Sequence, residues 1–187
     1  RERTFPISFA QQRLWFLDLL EPGNTSYNIP TIMKLHGPLD TEILEAGLNR
    51  VIERHEALRT TFRNDGGKPV QVISDPEHYT LPVTDLSGQD EKAKEQELQR
   101  LAQESANTVF DLAEGPLFAA RIIRYGADEH VLIFVIHHII ADGWSVSLLV
   151  REVAAFYDAL KNEKDAALPD LKIQYSDYAA WQRNWLK

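Results

Sequence analysis

The chain has 187 residues, of which 44% are hydrophobic and 26% charged, and this composition predicts one folded domain with a substantial core. Its net charge of −8 argues against a nucleic-acid partner, because proteins that bind nucleic acids carry basic surfaces. The absence of cysteine excludes disulfides, thiolate catalysis and cysteine-bound zinc, and it fits a cytoplasmic location.

The chain opens with a predicted helix and a predicted edge strand. Ser8 and Gln11 have the spacing of a capping box, so we expect a helix to begin here and to end before Pro22-Gly23. Residues 27–36 then have the composition of a strand. Within it, Pro30 indicates a sheet edge or a bulge, because proline cannot donate a ladder hydrogen bond.

A second helix and a β-hairpin are predicted next. Asp40 is the expected N-cap, and the segment RHEALRTTF, residues 54–62, ends the helix and leads into a strand. Asp65-Gly66-Gly67 predicts a tight turn into a second strand over residues 69–74. The spacing of apolar residues predicts that the buried face of the helix holds Leu44, Leu48, Val51, Ile52 and His55.

The middle of the chain alternates between strand and helix patterns. Residues 82–86 predict a short strand, and residues 88–108, which are rich in Glu, Lys and Gln, predict a helix with a solvated face. Residues 117–125 are expected to pair, across a turn at Gly126, with the strand that follows. No apolar run approaches the roughly 20 residues that span a bilayer, so we expect no membrane partner.

The most informative stretch is VLIFVIHHIIADGWSVS, residues 131–147. Its six leading apolar residues predict a strand buried on both faces. Side chains alternate along a strand, so His137 and His138 at its end are expected to point in opposite directions, and only one of them faces a cleft. Asp142-Gly143 breaks the strand, and a helix is expected to start near Trp144.

The residues alone leave more than one interpretation of this stretch. Tandem histidines at a strand end are commonly buried residues with satisfied hydrogen bonds. A metal site made of His137, His138 and Asp142 would need side chains that converge, whereas neighbouring strand residues diverge. The buried strand followed by an acid on a tight turn favours a catalytic site.

The end of the chain holds a linker and an aromatic helix. Residues 161–170 form a predicted polar connector. In the helix predicted over residues 175–186, the spacing places Tyr178, Trp181 and Trp185 on one face. Because the chain starts at Arg1 and stops abruptly at Lys187, we expect it to be a piece of a longer protein.

Four stretches together resemble one protein family. They are SFAQQRLWFL at 8–17, RHEALRTTF at 54–62, HHIIADGWS at 137–145 and YSDYAAW at 175–181. In this order they are similar to the first four signature motifs of condensation domains of nonribosomal peptide synthetases. The His-His-x-x-x-Asp-Gly pattern is shared more widely with chloramphenicol-acetyltransferase-like proteins. The resemblance implies an α/β fold, a two-layer sandwich lobe in which helices cover a mixed sheet. Residues 1–187 would be the N-terminal lobe, with the C-terminal lobe absent.

The resemblance also implies a reaction. Donor and acceptor carrier proteins present substrates as thioesters on phosphopantetheine arms, and an amide bond is formed between them. The domain itself binds no cofactor, and its partners are the two carriers and the missing lobe. The opening segment most resembles the subtype that joins an L-configured donor to an L-configured acceptor. We expect the isolated lobe to be inactive and to self-associate through its exposed aromatic face.

The resemblance assigns roles to the central motif. His138 maps to the family's second histidine and is expected to face the substrate tunnel, either as a base for the amine or as a stabiliser of the tetrahedral intermediate. His137 is expected to orient the loop. Gly143 is expected to let the backbone approach the reacting centre. Trp144 is grouped with the residues that support the site.

Asp142 is expected to have a structural role as the acidic partner of an arginine. Arg59 is the first candidate for this partner and Arg13 the second, because both lie in the other signature stretches. Two alternative functions remain: a noncatalytic module that docks carrier proteins, and a coenzyme A-dependent acyltransferase of the same superfamily.

Overall fold

Capping and turn residues set the bounds of most helices and strands. The computed structural model describes residues 2–185 of the chain. A short 3-10 helix, Glu56–Arg59, joins the second helix to the third strand. The strands are β1 Arg3–Pro6, β2 Asn28–His36, β3 Thr60–Asp65, β4 Lys68–Ile73, β5 Val83–Asp85, β6 Phe118–Arg124 and β7 Glu129–His137. The helices are α1 Phe9–Leu20, α2 Thr41–Arg54, α3 Glu91–Ala106, α4 Gly143–Lys161 and α5 Tyr175–Trp185.

The helix starts follow the predicted caps. The Ser8 side chain accepts a hydrogen bond from the Gln11 amide at 3.1 Å, and the Gln11 side chain accepts one from the Ser8 amide at 2.9 Å. This reciprocal pair is the predicted capping box of α1. The Asp40 carboxylate accepts from the amides of Glu42 and Ile43, as expected for the N-cap of α2.

The strands form two sheets, and the larger one is the mixed sheet that the resemblance implied. The larger sheet has the order β2-β7-β6-β5, with β5 parallel to β6 and the other pairs antiparallel. Pro30 lies in β2, at the edge of this sheet, as predicted. The smaller sheet, β1-β4-β3, is antiparallel and contains the predicted hairpin, whose turn residues Gly66 and Gly67 both have positive φ.

Strand β1 was not predicted because its four residues have no alternating pattern. Its residues are mostly exposed, and only Phe5 is half-buried. Its strand character comes from pairing with β4, in which Arg3 lies opposite Ile73 and Pro6 opposite Val70. A pairing across this length of chain is decided by tertiary structure, which a local sequence pattern does not encode.

Helices cover both faces of strand β7, as the unbroken apolar run predicted. On one face, Phe134 and Ile136 join the core that α2 and α4 close. On the other face, Val131 and Ile133 pack with Leu101 of α3. The buried face of α2 contributes Leu44, Leu48, Val51 and Ile52 to the first of these cores. Strand β7 lies between β2 and β6 and is therefore enclosed on every side.

A buried carboxylate ties α4 to the end of α2. Glu152 is 5% exposed, and its Oε2 atom lies 3.1 Å from Nε of Arg54 and 2.5 Å from Nε2 of His55. The same Arg54 guanidinium also donates to the carbonyl of Pro169. The Glu152 cluster thus holds together two helices and the segment that precedes α5.

The last segment differs in detail from the prediction. Lys161 is the final residue of α4, so the polar connector begins after it. Tyr178, Trp181 and Trp185 share one exposed face of α5, where the rings of Trp181 and Trp185 stack at 5.5 Å. Among residues 2–185, no helix is both long enough and apolar enough to cross a bilayer.

We expect Glu152→Ala to lower the free energy of unfolding by about 3–5 kcal/mol, because the change strands buried positive charge at Arg54. Urea denaturation measures the effect. The matched control is Glu53→Ala, which removes an exposed partner of Arg50 and is expected to cost less than about 1 kcal/mol. Equal losses in the two variants would contradict a structural role for the buried cluster.

Candidate active site

The end of β7 sends its two histidines in different directions. His137 is the last residue of the strand, and its amide donates to the carbonyl of Leu117 at 2.8 Å. The amide of His138 turns to the opposite neighbour and donates to the carbonyl of Tyr27 at 2.8 Å. The His137 side chain is 3% exposed, whereas that of His138 is exposed. The predicted divergence of the two side chains is confirmed.

His137 is a packed and neutral residue. Its ring lies edge-on to Phe110 and is tilted against Tyr27. Its Nδ1 atom accepts a hydrogen bond from the Ile139 amide at 3.0 Å, so in the neutral ring the proton lies on Nε2. Burial, with a smaller contribution from the charge of His138, lowers the pKa of His137 to about 4.

His138 has the opposite tautomer. Its Nδ1 atom lies 2.9 Å from the carbonyl oxygen of Ala141. A carbonyl oxygen only accepts, so Nδ1 carries the proton and donates it to this bond. In the neutral ring, the lone pair therefore lies on Nε2, where it can take a proton from a substrate.

The His138 side chain lines a cavity of about 180 Å³ between α1, the loop after β7 and α5. Five of its ten lining residues are apolar and five carry polar side chains. Apolar walls that surround placed polar groups are typical of a small-molecule site, in which the polar groups fix the orientation of a ligand. The lining residues are Ala10, Gln11, Leu14, His138, Ile139, Ile140, Ala141, Asp142, Ser145 and Tyr175.

Asp142 forms the N-cap of α4. Its Oδ1 atom accepts from the amide of Ser145 at 2.7 Å and from the hydroxyl of Ser145 at 2.6 Å. These bonds lower the pKa of Asp142, and the nearby His138 lowers it further. The carboxylate thus sets the start of the helix that follows the histidines.

The predicted ion pair between Asp142 and an arginine is wrong for the part of the chain that the structure describes. Arg59 donates to the carbonyl of Ser74 and lies 3.9 Å from Glu56, at the edge of the smaller sheet. Arg13 is exposed on α1. The Asp142 carboxylate accepts its hydrogen bonds from Ser145, three residues later in the chain. Because these local bonds satisfy the carboxylate, it does not require an arginine from a distant part of the chain.

The roles expected for Gly143 and Trp144 stay predictions, because both concern groups that face a substrate. A Cβ atom at Gly143 would meet no protein atom of residues 2–185 within 4 Å, so the space beside this residue is open. Trp144 is 72% exposed on the first turn of α4.

The structure adds Gln11, Ser145 and Tyr175 to the site. Gln11 is 3% exposed, and its polarity in an apolar helix was the visible signal. Tyr175 opens the YSDYAAW stretch, but no spacing rule connects it to His138. Its hydroxyl lies 2.9 Å from Oγ of Ser8. This contact joins the N-terminal ends of α1 and α5.

The described residues contain no group of three His, Cys, Asp or Glu side chains placed to hold a metal ion. His137 commits Nδ1 to the Ile139 amide and His138 commits Nδ1 to a carbonyl. The Nδ1 atoms of the two rings thus bond to different backbone groups.

Comparison with known proteins gives consistent matches. The family model described as "Condensation domain" matches residues 1–187. One of the proteins that make up the linear gramicidin synthase of Brevibacillus parabrevis is 47% identical over 187 residues, which are 100% of this chain and 4% of that protein. The chain thus spans a small part of the length of this curated relative.

Two solved structures are similar to the whole chain. The starter condensation domain of rhizomide synthetase superposes with a TM-score of 0.89 at 25% identity, covering 98% of this chain and 46% of that one. The X-domain from teicoplanin biosynthesis superposes with a TM-score of 0.84 at 30% identity, covering 97% of this chain and 38% of that one. The fold described above is the fold of these domains.

We expect Asp142→Ala to lower the free energy of unfolding by about 0.5–2 kcal/mol, the usual cost of losing an N-cap. Asp142→Ser, which keeps a capping oxygen, is expected to recover most of this loss. Chemical denaturation of both variants measures the difference. A loss of about 3–5 kcal/mol in Asp142→Ala would instead indicate a buried ion pair.

We expect stability to fall as the pH drops from the ordinary histidine pKa of about 6.5 towards 4, because His137 gains a proton when unfolded but not when folded. Above that range its contribution is fully present. His137→Asn keeps an oxygen that accepts from the Ile139 amide and does not titrate, so this part of the pH slope is expected to disappear. If denaturation across this pH range gives the wild type and His137→Asn the same slope of stability against pH, the argument that burial lowers the pKa of His137 would be contradicted.

Proposed function

This chain belongs to the condensation-domain family, and from that premise we propose that it is the N-terminal lobe of a two-lobed domain that forms amide bonds. The substrates would be two acyl or aminoacyl thioesters held on the phosphopantetheine arms of donor and acceptor carrier proteins. The share of the solved domains that the chain covers supports the assignment to one lobe. The domain itself would bind no cofactor.

The proposed reaction transfers an acyl group from sulfur to nitrogen. The amine nitrogen of the acceptor attacks the donor carbonyl carbon and forms the new C–N bond. The C–S bond then breaks, and the proton lost by the nitrogen ends on the departing thiol. A thioester is already activated, so holding the two tethered substrates in line supplies much of the rate.

His138 is the residue that we propose to act on the amine. One observation carries this assignment: its Nδ1 proton is committed to the Ala141 carbonyl, which leaves the Nε2 lone pair for the substrate. The Asp142 carboxylate lines the same cavity. General-base catalysis of this kind typically contributes about 10²–10⁴-fold to the rate.

We expect His138→Ala in the two-lobed domain to lower the single-turnover rate of amide formation by about 10²–10⁴-fold while carrier binding is unchanged. Donor and acceptor carriers loaded with aminoacyl groups are mixed with the domain, and mass spectrometry follows the product. His36→Ala, which changes an exposed histidine at the far end of β2, is the control and is expected to be fully active.

The outcome also separates the competing functions. Full activity of His138→Ala, together with carrier binding, would contradict the catalytic role of the histidine. Carrier binding without any product from the wild-type domain would favour a noncatalytic docking module. Product formation from a free coenzyme A thioester in preference to a loaded carrier would favour a small-molecule acyltransferase.

Two finer proposals use the same assay. We propose that the domain prefers an L-configured donor, which its resemblance to that subtype supports, so a D-configured donor is expected to react more slowly. Residues 1–187 alone are expected to form no product, because half of the cleft would be missing. The exposed aromatic face of α5 would then promote self-association, which sedimentation of the isolated lobe measures.

A further inference from the structure

Tyr175 places a second polar group at the cavity that His138 lines. The residue begins α5, and its ring belongs to the cavity wall although the helix lies far along the chain from β7. The residue is 41% exposed, so a large part of it is open to solvent. No role was assigned to it from the sequence.

The hydrogen bonds of Ser8 decide which way the phenol donates. Ser8 is fully buried, and its Oγ atom already accepts from the Gln11 amide. A buried hydroxyl needs an acceptor for its own proton, and Tyr175 Oη at 2.9 Å is the one that the described residues supply. Ser8 therefore donates to Tyr175, and the phenolic proton is left to point elsewhere.

The phenol remains a donor near neutral pH. Burial raises the pKa of Tyr175, so the group keeps its proton under ordinary conditions. The other hydroxyl at the cavity, that of Ser145, is committed to Asp142. Gln11 is 3% exposed and its side-chain oxygen is bonded to the Ser8 amide. Of the donors at this cavity that lack a partner among the described residues, the Tyr175 hydroxyl thus belongs to a more exposed residue than the side-chain amide of Gln11.

We propose that Tyr175 is a second catalytic residue, whose hydroxyl donates a hydrogen bond to the carbonyl oxygen of the donor thioester. The inference rests on the function proposed above and deepens it. As the amine attacks, the C=O electron pair moves to oxygen, and a donor aimed at that oxygen stabilises the charge. When the C–S bond breaks, the carbonyl re-forms and Tyr175 keeps its proton.

The different roles of His138 and Tyr175 follow from the tautomer of His138 and from the hydrogen bond between Ser8 and Tyr175. His138 presents a lone pair and Tyr175 presents a proton, which are the two groups that attack of an amine on a carbonyl requires. Ser8 acts through Tyr175 and is a positioning residue. The bond between them also joins the buried N-cap residue of α1 to the first residue of α5.

The test replaces the phenol in the two-lobed domain and measures single-turnover amide formation from loaded carriers. We expect Tyr175→Phe to lower the rate on the order of 10²-fold, the usual effect of losing one such donor, with carrier affinity unchanged. Tyr125→Phe is the matched control, because that ring packs beside Lys94 at the far end of the sheet. The control is expected to retain the wild-type rate.

A second variant separates catalysis from folding. Difluorotyrosine at position 175 keeps the hydroxyl and lowers the pKa of the phenol. Its rate is expected to fall as the pH rises through that lowered pKa, because the ionised phenolate no longer donates. A merely structural role would not produce this new limb in the pH profile.

The outcomes distinguish the two proposals. No amide formation by the wild-type domain would overturn the proposed function. Wild-type turnover with equal rates for Tyr175→Phe and Tyr125→Phe would overturn the role of Tyr175 and leave the function standing. If Tyr175→Phe does not fold, an unchanged pH profile in the difluorotyrosine protein would overturn it equally.

Discussion

The burial of strand β7 on both faces is the constraint on which the site depends. Apolar side chains from α2 and α4 cover one face and those of α3 cover the other. A strand held in this way ends at a defined place and in a defined orientation, so alternation separates His137 from His138. The buried ring then accepts a hydrogen bond from the Ile139 amide in the following loop, and the other ring is exposed.

The other signature stretches build the frame around this strand end. Arg54 and His55 of the RHEALRTTF stretch hold Glu152 of α4 in a buried charge cluster. Gln174, next to the YSDYAAW stretch, bonds to the Arg54 carbonyl and the Glu56 amide. Residues that a motif search treats alike thus have different tasks: some contact the cavity, and others fix the helices that line it.

The chemistry of the cavity comes from hydrogen bonds that are already committed. A carbonyl at Nδ1 of His138 sets its tautomer, and a capped helix turn satisfies Asp142. Under the proposed function, each group would therefore meet a substrate in one prepared state, and little reorganisation would be needed during the reaction.

The sequence alone determined the features that depend on neighbouring residues. The capping box of α1, the Gly66-Gly67 turn, the buried central strand and the divergence of the two histidines all rest on spacings of a few residues, and the structure has each of them. The family resemblance was also readable, because its motifs are short and local.

Tertiary structure alone decided which distant groups meet. The sequence placed Arg59 beside Asp142, but Ser145 lies three residues from that acid and satisfies it first, while Arg59 binds Ser74. The sequence did not indicate β1, which is a strand because it pairs with β4. It also did not indicate that Tyr175 lines the same cavity as His138. Charge and residue type make a pairing chemically possible, but the packing of whole helices and strands decides whether the two side chains come within reach.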